Sequence, residues 1–584
     1  MSRPTYPSFP ARLALVCLFG FAAGLGASDS LPGFDESPER KQLAEVEALV
    51  NTGKPASLQG LANLLCALPF TVREAAAKAL AETFPTETTK VLPTLLAHPD
   101  YRARERSVHL AARLAMPALV AALPRLVRDP AVQVRVAVCE TWIPPANNSR
   151  AVVPVWPGGA ADQHLGVLTT DHNPGVRLAL AKLSGILGGE TGKRLRAILF
   201  EDLDEGVFNA AVAAHLTAQV PSQRVAELLL AVARSNQAPS RRAAAIDLYG
   251  QALGVEAIPT LLDLLATNPG GRAVELRAAI ADAIGLIAPP DPALRGRCVQ
   301  ALLPFAVRDQ WWGVRAAATW ALMRLGHDGV VAMVIPTLER EGGGALQELL
   351  AGYCRQRQVD GRAWRQWING PGRGFTGGNP PAISEESELS FFKLTDRSRC
   401  VALINQPPND ESGGIGGRAR WVEAPDFNGP RTSGESLRLE LWNSVMRLSV
   451  ATRMVLVNAT GGVWPGSPIR ATWRNKARLH DALDQKNGAV FHTQASLIPI
   501  EVALTCPGVE SILWFLGNPS LLAHTNVQES VTKVSTLNRD RPGQARIHLV
   551  MPWQNKADRR FDPESERWLA AIAAANNGGL RIIK

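Results

Sequence analysis

Beyond the apolar stretch from Leu13 to Phe21, the 584-residue sequence has no run of about twenty uninterrupted apolar side chains, the length a membrane-spanning helix needs. No integral membrane segment is therefore expected in the rest of the chain. Cysteine is scarce, with seven in all. None of them has CxxC spacing, so metal or redox chemistry at thiols is unsupported. Cys66, Cys139, Cys298, Cys354, Cys400 and Cys506 are far apart and mostly embedded in apolar helical patterns such as Leu64-Leu65-Cys66-Ala67. Buried free thiols are the better reading, although an even count in an oxidising compartment permits disulfides. A block of Lys and Arg is also missing, and the net charge of +9 is spread among interspersed acidic residues. A nucleic-acid surface wants a clustered basic face with aromatics to stack bases, so no nucleic-acid partner is expected. There is no G-x-S-x-G elbow, no G-x-x-x-x-G-K-[ST] phosphate loop and no H-E-x-x-H helix. No catalytic residue is nominated. The Gly-rich "GGIGGRAR" at 413–420 has no strand feeding into it and no GK[ST] after it, and reads as a loop.

What is present begins with Arg3 and Arg12, the apolar run Leu13–Phe21, and small residues from Ala22 to Ser28. That order is a secretory signal peptide over 1–27, with cleavage expected after Gly26, Ala27 or Ser28. Cys17 follows Val16 where a lipoprotein anchor needs a small residue, so an exported soluble protein, periplasmic or secreted, is the expectation. Length requires two or three cores. A composition of 46% hydrophobic and 20% charged residues fits globular domains.

From 40 to 355 a signature recurs: a polar turn, an aliphatic-Arg pair, then a small-residue-rich amphipathic run. It appears as "TVREAAAKAL" at Arg73, then at Arg104, at Arg135, as "PGVRLALAKLSGIL" at Arg177, at Phe208, at Arg242, at Arg277, and as "GVRAAATWALMRLG" at Arg315. Neighbouring anchors are 31 to 42 residues apart, room for one pair of antiparallel helices. Second helices fit between them, as in "KVLPTLLAHPD" and "AIPTLLDLLATNP". The pattern resembles HEAT and HEAT-like repeats, which implies an all-α solenoid of about eight helix pairs. The resemblance further implies a ladder of ion pairs between turn aspartates and anchor arginines. Asp129 with Arg135 and Asp309 with Arg315 match that spacing, and Phe208 should break it. Some HEAT-like proteins are iron hydroxylases using repeated His-Glu dipeptides; this chain has none, and its histidines lack i, i+4 pairing. The longest interval holds "WIPPANNSRAVVPVWPGG", a Pro- and Asn-rich insertion expected to protrude.

Residues 356–395 are Gly- and Pro-rich around an aromatic turn, as at a domain junction. From 396 to 584 apolar runs at 399–405, 453–458, 511–516, 545–551 and 580–584 alternate with helical stretches at 435–449, 473–485, 496–505 and 563–576. Such alternation predicts a mostly parallel sheet flanked by helices, with ligands at the carboxyl ends of the strands. In order, "SFFKLTDRSRCVALINQ", "MVLVNATGGVWPGSP", "NKARLHDALD", "VESILWFLGNPS", "ARIHLVMP" and "WLAAIAAANNGGLRII" resemble a von Willebrand factor type A domain, in the form fused behind HEAT-like repeats in some bacterial exported proteins. The resemblance implies a doubly wound, Rossmann-type α/β domain.

Members of that family that bind a divalent cation use Asp-x-Ser-x-Ser after the first strand, a Thr in a second loop and an Asp in a third. A hard cation such as Mg²⁺ wants oxygen ligands with a carboxylate among them. The motif falls on Asn405, Pro407 and Asn409; the threonine falls near Ser496, with Thr493 as a rival, and the last aspartate falls near Leu516, just before Asn518. Both carboxylates are gone and Pro407 offers no side-chain oxygen, so the resemblance implies a degenerate adhesion site with no metal and no cofactor. Asp410 is the one substitute carboxylate nearby, and loop capping is the plain reading of Asn405, Asn409 and Asn518. The expected function is a non-enzymatic protein-binding scaffold with unknown protein partners. The rivals are an enzyme whose site is assembled where solenoid meets A-type domain, and a cation-dependent adhesion protein with a rebuilt site. A cleft there holding a His or carboxylate cluster would favour the enzyme.

Overall fold

The computed structural model describes residues 38–143, 155–271, 273–341, 344–358, 360–384, 387–388, 397–406, 441–459, 461–486, 497–516, 527–552 and 563–583. The expected signal peptide, most of the 142–159 insertion and the 413–420 loop lie outside them. The molecule is a helix-rich region followed by an α/β region with a mixed six-stranded sheet.

All eight anchor positions fall in helices, from Phe70–Thr83 for Arg73 to Trp312–Arg324 for Arg315. The turns before them supply the caps that polar residues favour: Asp100 accepts the amide of Arg102, Asn173 that of Gly175, and Asp204 that of Val207. The intervening helices Pro85–Leu95, Met116–Leu126 and Ile258–Thr267 open with a proline in the first turn, where no amide partner is lost.

Contacts divide the chain into two compact units. The first comprises the described residues up to Ala67 and those from Val72 to Ala161. In it, Arg104 and Arg135 each turn one Nη toward a main-chain carbonyl six residues back, on His98 and Asp129, both at 2.7 Å. The other edge of Arg104 grips the Asp129 carboxylate at 2.7 and 2.8 Å. Asp129 therefore joins Arg135 through its carbonyl and the preceding anchor, Arg104, through its carboxylate. Trp142, buried at the start of the insertion, meets Trp156 edge-on at 5.0 Å, which ties the two ends of the insertion together.

The second unit comprises Leu68–Thr71 and everything described from Asp162 on, helices and sheet together. Its helices Pro174–Ile186, Glu205–Thr217, Pro239–Leu253, Val274–Ile287 and Trp312–Arg324 pack side by side in chain order. Glycine at the eighth position after the anchor permits the approach: a Cβ on Gly285 would stand 2.4 Å from the Trp320 ring, and one on Gly185 would stand 2.9 Å from the Ala214 backbone. The bracing repeats here. Arg177 reaches the Asp171 carbonyl at 2.6 Å and the Asp202 carboxylate at 2.7 Å; Arg315 reaches the Asp309 carbonyl at 2.6 Å, while the Asp309 carboxylate goes to Arg277 at 2.7 Å. At Phe208, where no anchor arginine exists, Arg241 from the next helix lies 4.8 Å over the Phe208 ring and donates to the Asp202 carbonyl at 2.5 Å. The vacant place in the bracing is thus filled from a neighbouring helix. The side chains of Arg277 and Asp309 are both 2% exposed, so truncating one strands the other charge away from water. Arg277→Ala is expected to lower stability by about 3–5 kcal/mol in denaturant titrations, whereas a loss under about 1 kcal/mol contradicts this reading of the bracing.

The strands of the α/β region are β1 (Ser387–Glu388) and β2 (Arg397–Ser398), a short antiparallel bridge, then β3 (Cys400–Gln406), β4 (Arg453–Asn458), β5 (Val463–Arg470), β6 (Ser511–Leu516), β7 (Arg546–Pro552) and β8 (Leu580–Ile583). The sheet order is β5-β4-β3-β6-β7-β8, parallel except for β5 at the edge. Every residue of β3 and β6 is buried, so both faces of the sheet centre are covered, and the sequences are continuous apolar runs rather than alternating ones. On one face, Ala402, Ile404, Val455, Ile512 and Trp514 pack against helices Ile498–Thr505, Val527–Asp540 and Pro563–Ala575. β5 and helix Val527–Asp540 have no counterpart among the segments read from the sequence. Pro465, Gly466 and Pro468 break the alternation of β5 and are tolerated because it is an edge strand.

Candidate functional site

The carboxyl edge of the sheet is the first place to look, since the chain leaves β3 for β4 on one side and reaches β6 on the other. Asn405 and Gln406 end β3, both buried. The Gln406 amide oxygen accepts the Trp514 indole N–H at 2.8 Å, so that side chain pins β3 to β6. Leu516, at the end of β6, is buried and its side chain carries no oxygen. The Asn458 amide oxygen accepts the Gly462 N–H at 2.7 Å and closes the turn after β4. Pro407, Asn409, Asp410, Thr493, Ser496 and Asn518 lie outside the described residues. Among the described residues no group of three or more His, Cys, Asp or Glu side chains is arranged to hold a metal ion. The buried His548 accepts the Gly579 amide at 3.2 Å, a structural use within β7. The six described cysteines are free thiols. Burial pushes Cys400 up to about 12 and Cys506 up to about 11, which leaves them inert at neutral pH.

A second concentration of titratable groups lies where helix Trp473–Lys486 enters the row of helices in the same unit. The Asp282 carboxylate, fully buried on helix Val274–Ile287, accepts the main-chain amides of Trp473 at 3.3 Å and Arg474 at 2.9 Å. It thus satisfies the free amides of a helix start, which also carries partial positive charge. The Arg474 guanidinium, with no exposed surface, pairs with Glu205 and lies 3.4 Å from Asp247. Its other donors reach the Asn475 side chain at 2.8 and 3.0 Å and the Ser240 carbonyl at 3.4 Å. Arg478 bonds the second Glu205 oxygen at 2.6 Å and approaches Glu275 at 3.2 Å. Around this centre, Ser467 of β5 donates to Asp204 at 2.6 Å, and the Trp311 indole N–H donates to Asp481 at 3.1 Å. Lys476, also buried, donates to the carbonyls of Met446 and Leu448 at 3.1 and 2.6 Å and sits 4.3 Å over the Trp473 ring. His480 packs among the rings of Trp442 at 4.8 Å and Trp312 at 5.5 Å.

Burial and pairing set the charges against one another. Burial alone would raise the Glu205 carboxyl, but Arg474 and Arg478 outweigh it and hold it below its ordinary value. Asp247 is pushed up to about 6 by burial, with Arg474 opposing and Glu205 adding. Asp282 is pushed up to about 7 by burial and by Asp247, against the pull of its two amide bonds. Burial draws Lys476 down to about 7, with Asp282 opposing. Burial disfavours the charge on Arg474, yet Glu205, Asp247, Glu275 and Asp282 together raise its pKa above the ordinary value. Carboxylates shifted toward neutrality beside arginines are the raw material of acid–base catalysis. The centre of this set is buried, however, while Asp247, Arg478 and Glu275 at its rim are partly exposed. Asp282 and Arg474 have no exposed surface, and the adjoining cavity, lined by Asp247, Asn209 and Thr472 among others, is about 30 Å³, room for a single water and not for a substrate.

These residues are absent from the sequence-level candidates, although two signals exist. Asp247 and Asp282 stand at the same place, five residues after Arg242 and Arg277, inside otherwise apolar helices. Helix Trp473–Lys486 carries Arg474, Lys476 and Arg478 in its first two turns, where positive charge opposes the helix dipole and calls for carboxylates nearby. No protein-family model matches the chain, and comparison with curated protein sequences finds no relative.

Proposed function

We propose that the protein is an exported, non-enzymatic interaction protein: a HEAT-like solenoid joined to a von Willebrand factor A-like, doubly wound α/β domain whose adhesion site has lost its metal. The observation that carries the reading is the buried charge network at helix Trp473–Lys486. The carboxylates and arginines that meet there bond one another and the main chain. A fixed junction presents two faces to partners at constant geometry, the row of helices and the carboxyl edge of the sheet. At that edge the emptied ligand pattern supports docking through main chain and neutral side chains rather than through a shared cation. Export rests on the Arg3-to-Ser28 pattern.

A tagged full-length protein recovered from envelope or secreted fractions is expected to bring down a protein partner in constant ratio, in the presence of EDTA as in its absence. Recovery of the chain alone, together with turnover of a small molecule, would contradict the reading.

A further inference from the structure

A cavity of about 460 Å³ adjoins the charge network at Trp473 and Met446 and opens between helix Ala345–Cys354 with its following turn and the helix over 441–447. Three arginines line it, Arg355, Arg357 and Arg447, against a single carboxylate, Glu348. Arg357 is matched to Glu348, at 2.7 and 2.9 Å. Arg355 uses one donor on a neutral group, the Asn379 amide oxygen at 3.2 Å. Arg447 is exposed and has no hydrogen-bond or ion-pair partner among the described residues. Among the described residues, neither of these two guanidinium groups has a carboxylate partner.

Two further features single the place out. Arg355 closes its helix at φ 52°, ψ 32°, a left-handed conformation in which glycine is the unstrained choice. An arginine held there keeps a side chain in the cavity lining that glycine would not supply, and strain of this kind gathers at binding sites. The rest of the lining is mixed, with Leu349, Met446 and Trp473 as its apolar part and Gln356 as a neutral polar side chain. The Trp473 indole N–H is buried without a partner.

We propose that this cavity binds an organic carboxylate with an apolar body. Planar guanidinium groups match the two oxygens of a carboxylate, as Arg357 and Glu348 already display at the rim. The apolar part of the lining, Leu349, Met446 and Trp473, accepts the hydrocarbon part, and the volume, in a groove open to solvent, is comparable to that of small-ligand sites. A bare inorganic anion would leave that apolar lining unused.

The test is calorimetric titration of the full-length chain with 2-naphthoate, with 2-naphthol and inorganic phosphate as companions. Naphthoate is expected to saturate one site with Kd below about 1 mM, naphthol to bind at least tenfold more weakly, and phosphate not to displace naphthoate at equal concentration. Arg447→Ala and Arg355→Gly are each expected to weaken naphthoate binding tenfold or more. Glycine suits the left-handed position, so Arg355→Gly should melt at the same temperature as the parent or higher, which separates lost binding from lost folding. No saturable binding, unchanged binding in both variants, or phosphate competing as an equal would overturn the proposal.

Discussion

Replacing Arg474 with alanine is expected to destabilise the second unit by about 3–5 kcal/mol, the cost of stranding buried charge by removing its partner. Glu205, Asp247 and Asp282 would remain in a largely buried region, and Arg478 alone cannot meet them because it already serves Glu205 and Glu275. Lysine should recover only part of the loss. It restores a charge but not the fork that reaches Glu205, Asn475 and Ser240 from one side chain. The exposed pair Arg224–Glu227 serves as a control, and its removal should change stability by less than about 1 kcal/mol. Denaturant unfolding followed by tryptophan fluorescence measures both. An Arg474→Ala loss no larger than that of the surface pair would mean that the network contributes nothing.

Stability is also expected to pass through a minimum near neutral pH, with limbs assignable to named residues. Asp247 and Asp282 titrate at about 6 and about 7 in the folded protein, above the ordinary carboxylate range. Between the unfolded and folded values the native state holds protons that the unfolded chain has released, so stability falls as pH rises from about 4 to 7. Lys476 acts on the other side. Its folded value of about 7 lies below that of an unfolded lysine, so the unfolded chain holds the extra proton between about 7 and 10, and stability rises with pH across that window. Glu205, held low, contributes the opposite slope only in more acidic solution, below its unfolded value. Each limb should amount to several kcal/mol, since the shifts come to about 5 pH units for the two aspartates together and about 3.5 for Lys476, at about 1.4 kcal/mol each. Melting temperatures from pH 5 to 9.5 test this: Asp282→Asn should flatten the acid limb and Lys476→Met the alkaline one. A maximum at pH 7 in the parent protein would contradict the charge states assigned to the network.

Local sequence carries what local physics decides. The anchor helices were legible because small residues, polar turns and a fixed arginine recur together. The central strands were legible because β3 and β6 are uninterrupted apolar runs. β5 was not, since Pro465, Gly466 and Pro468 give it no strand pattern, and only its place beside β4 makes it one. The bracing was legible as residues but not as pairs: spacing joins Asp129 to Arg135, while the fold gives the Asp129 carboxylate to Arg104 and only its carbonyl to Arg135. The charge network was hidden for a related reason. Glu205 and Arg474 are 269 residues apart, and nothing in either segment alone names the other. At the sheet edge, Leu516 could be judged from side-chain chemistry alone, because a leucine side chain cannot ligate in any fold.

Calorimetric titration of the full-length chain with Mg²⁺ and with Mn²⁺ tests most directly whether the α/β domain works without a metal. No saturable heat is expected with either cation up to about 1 mM, a range in which a site of useful affinity would fill. Micromolar binding that disappears in Asn409→Ala or Asp410→Ala would contradict it, and would make the sheet edge a rebuilt cation site.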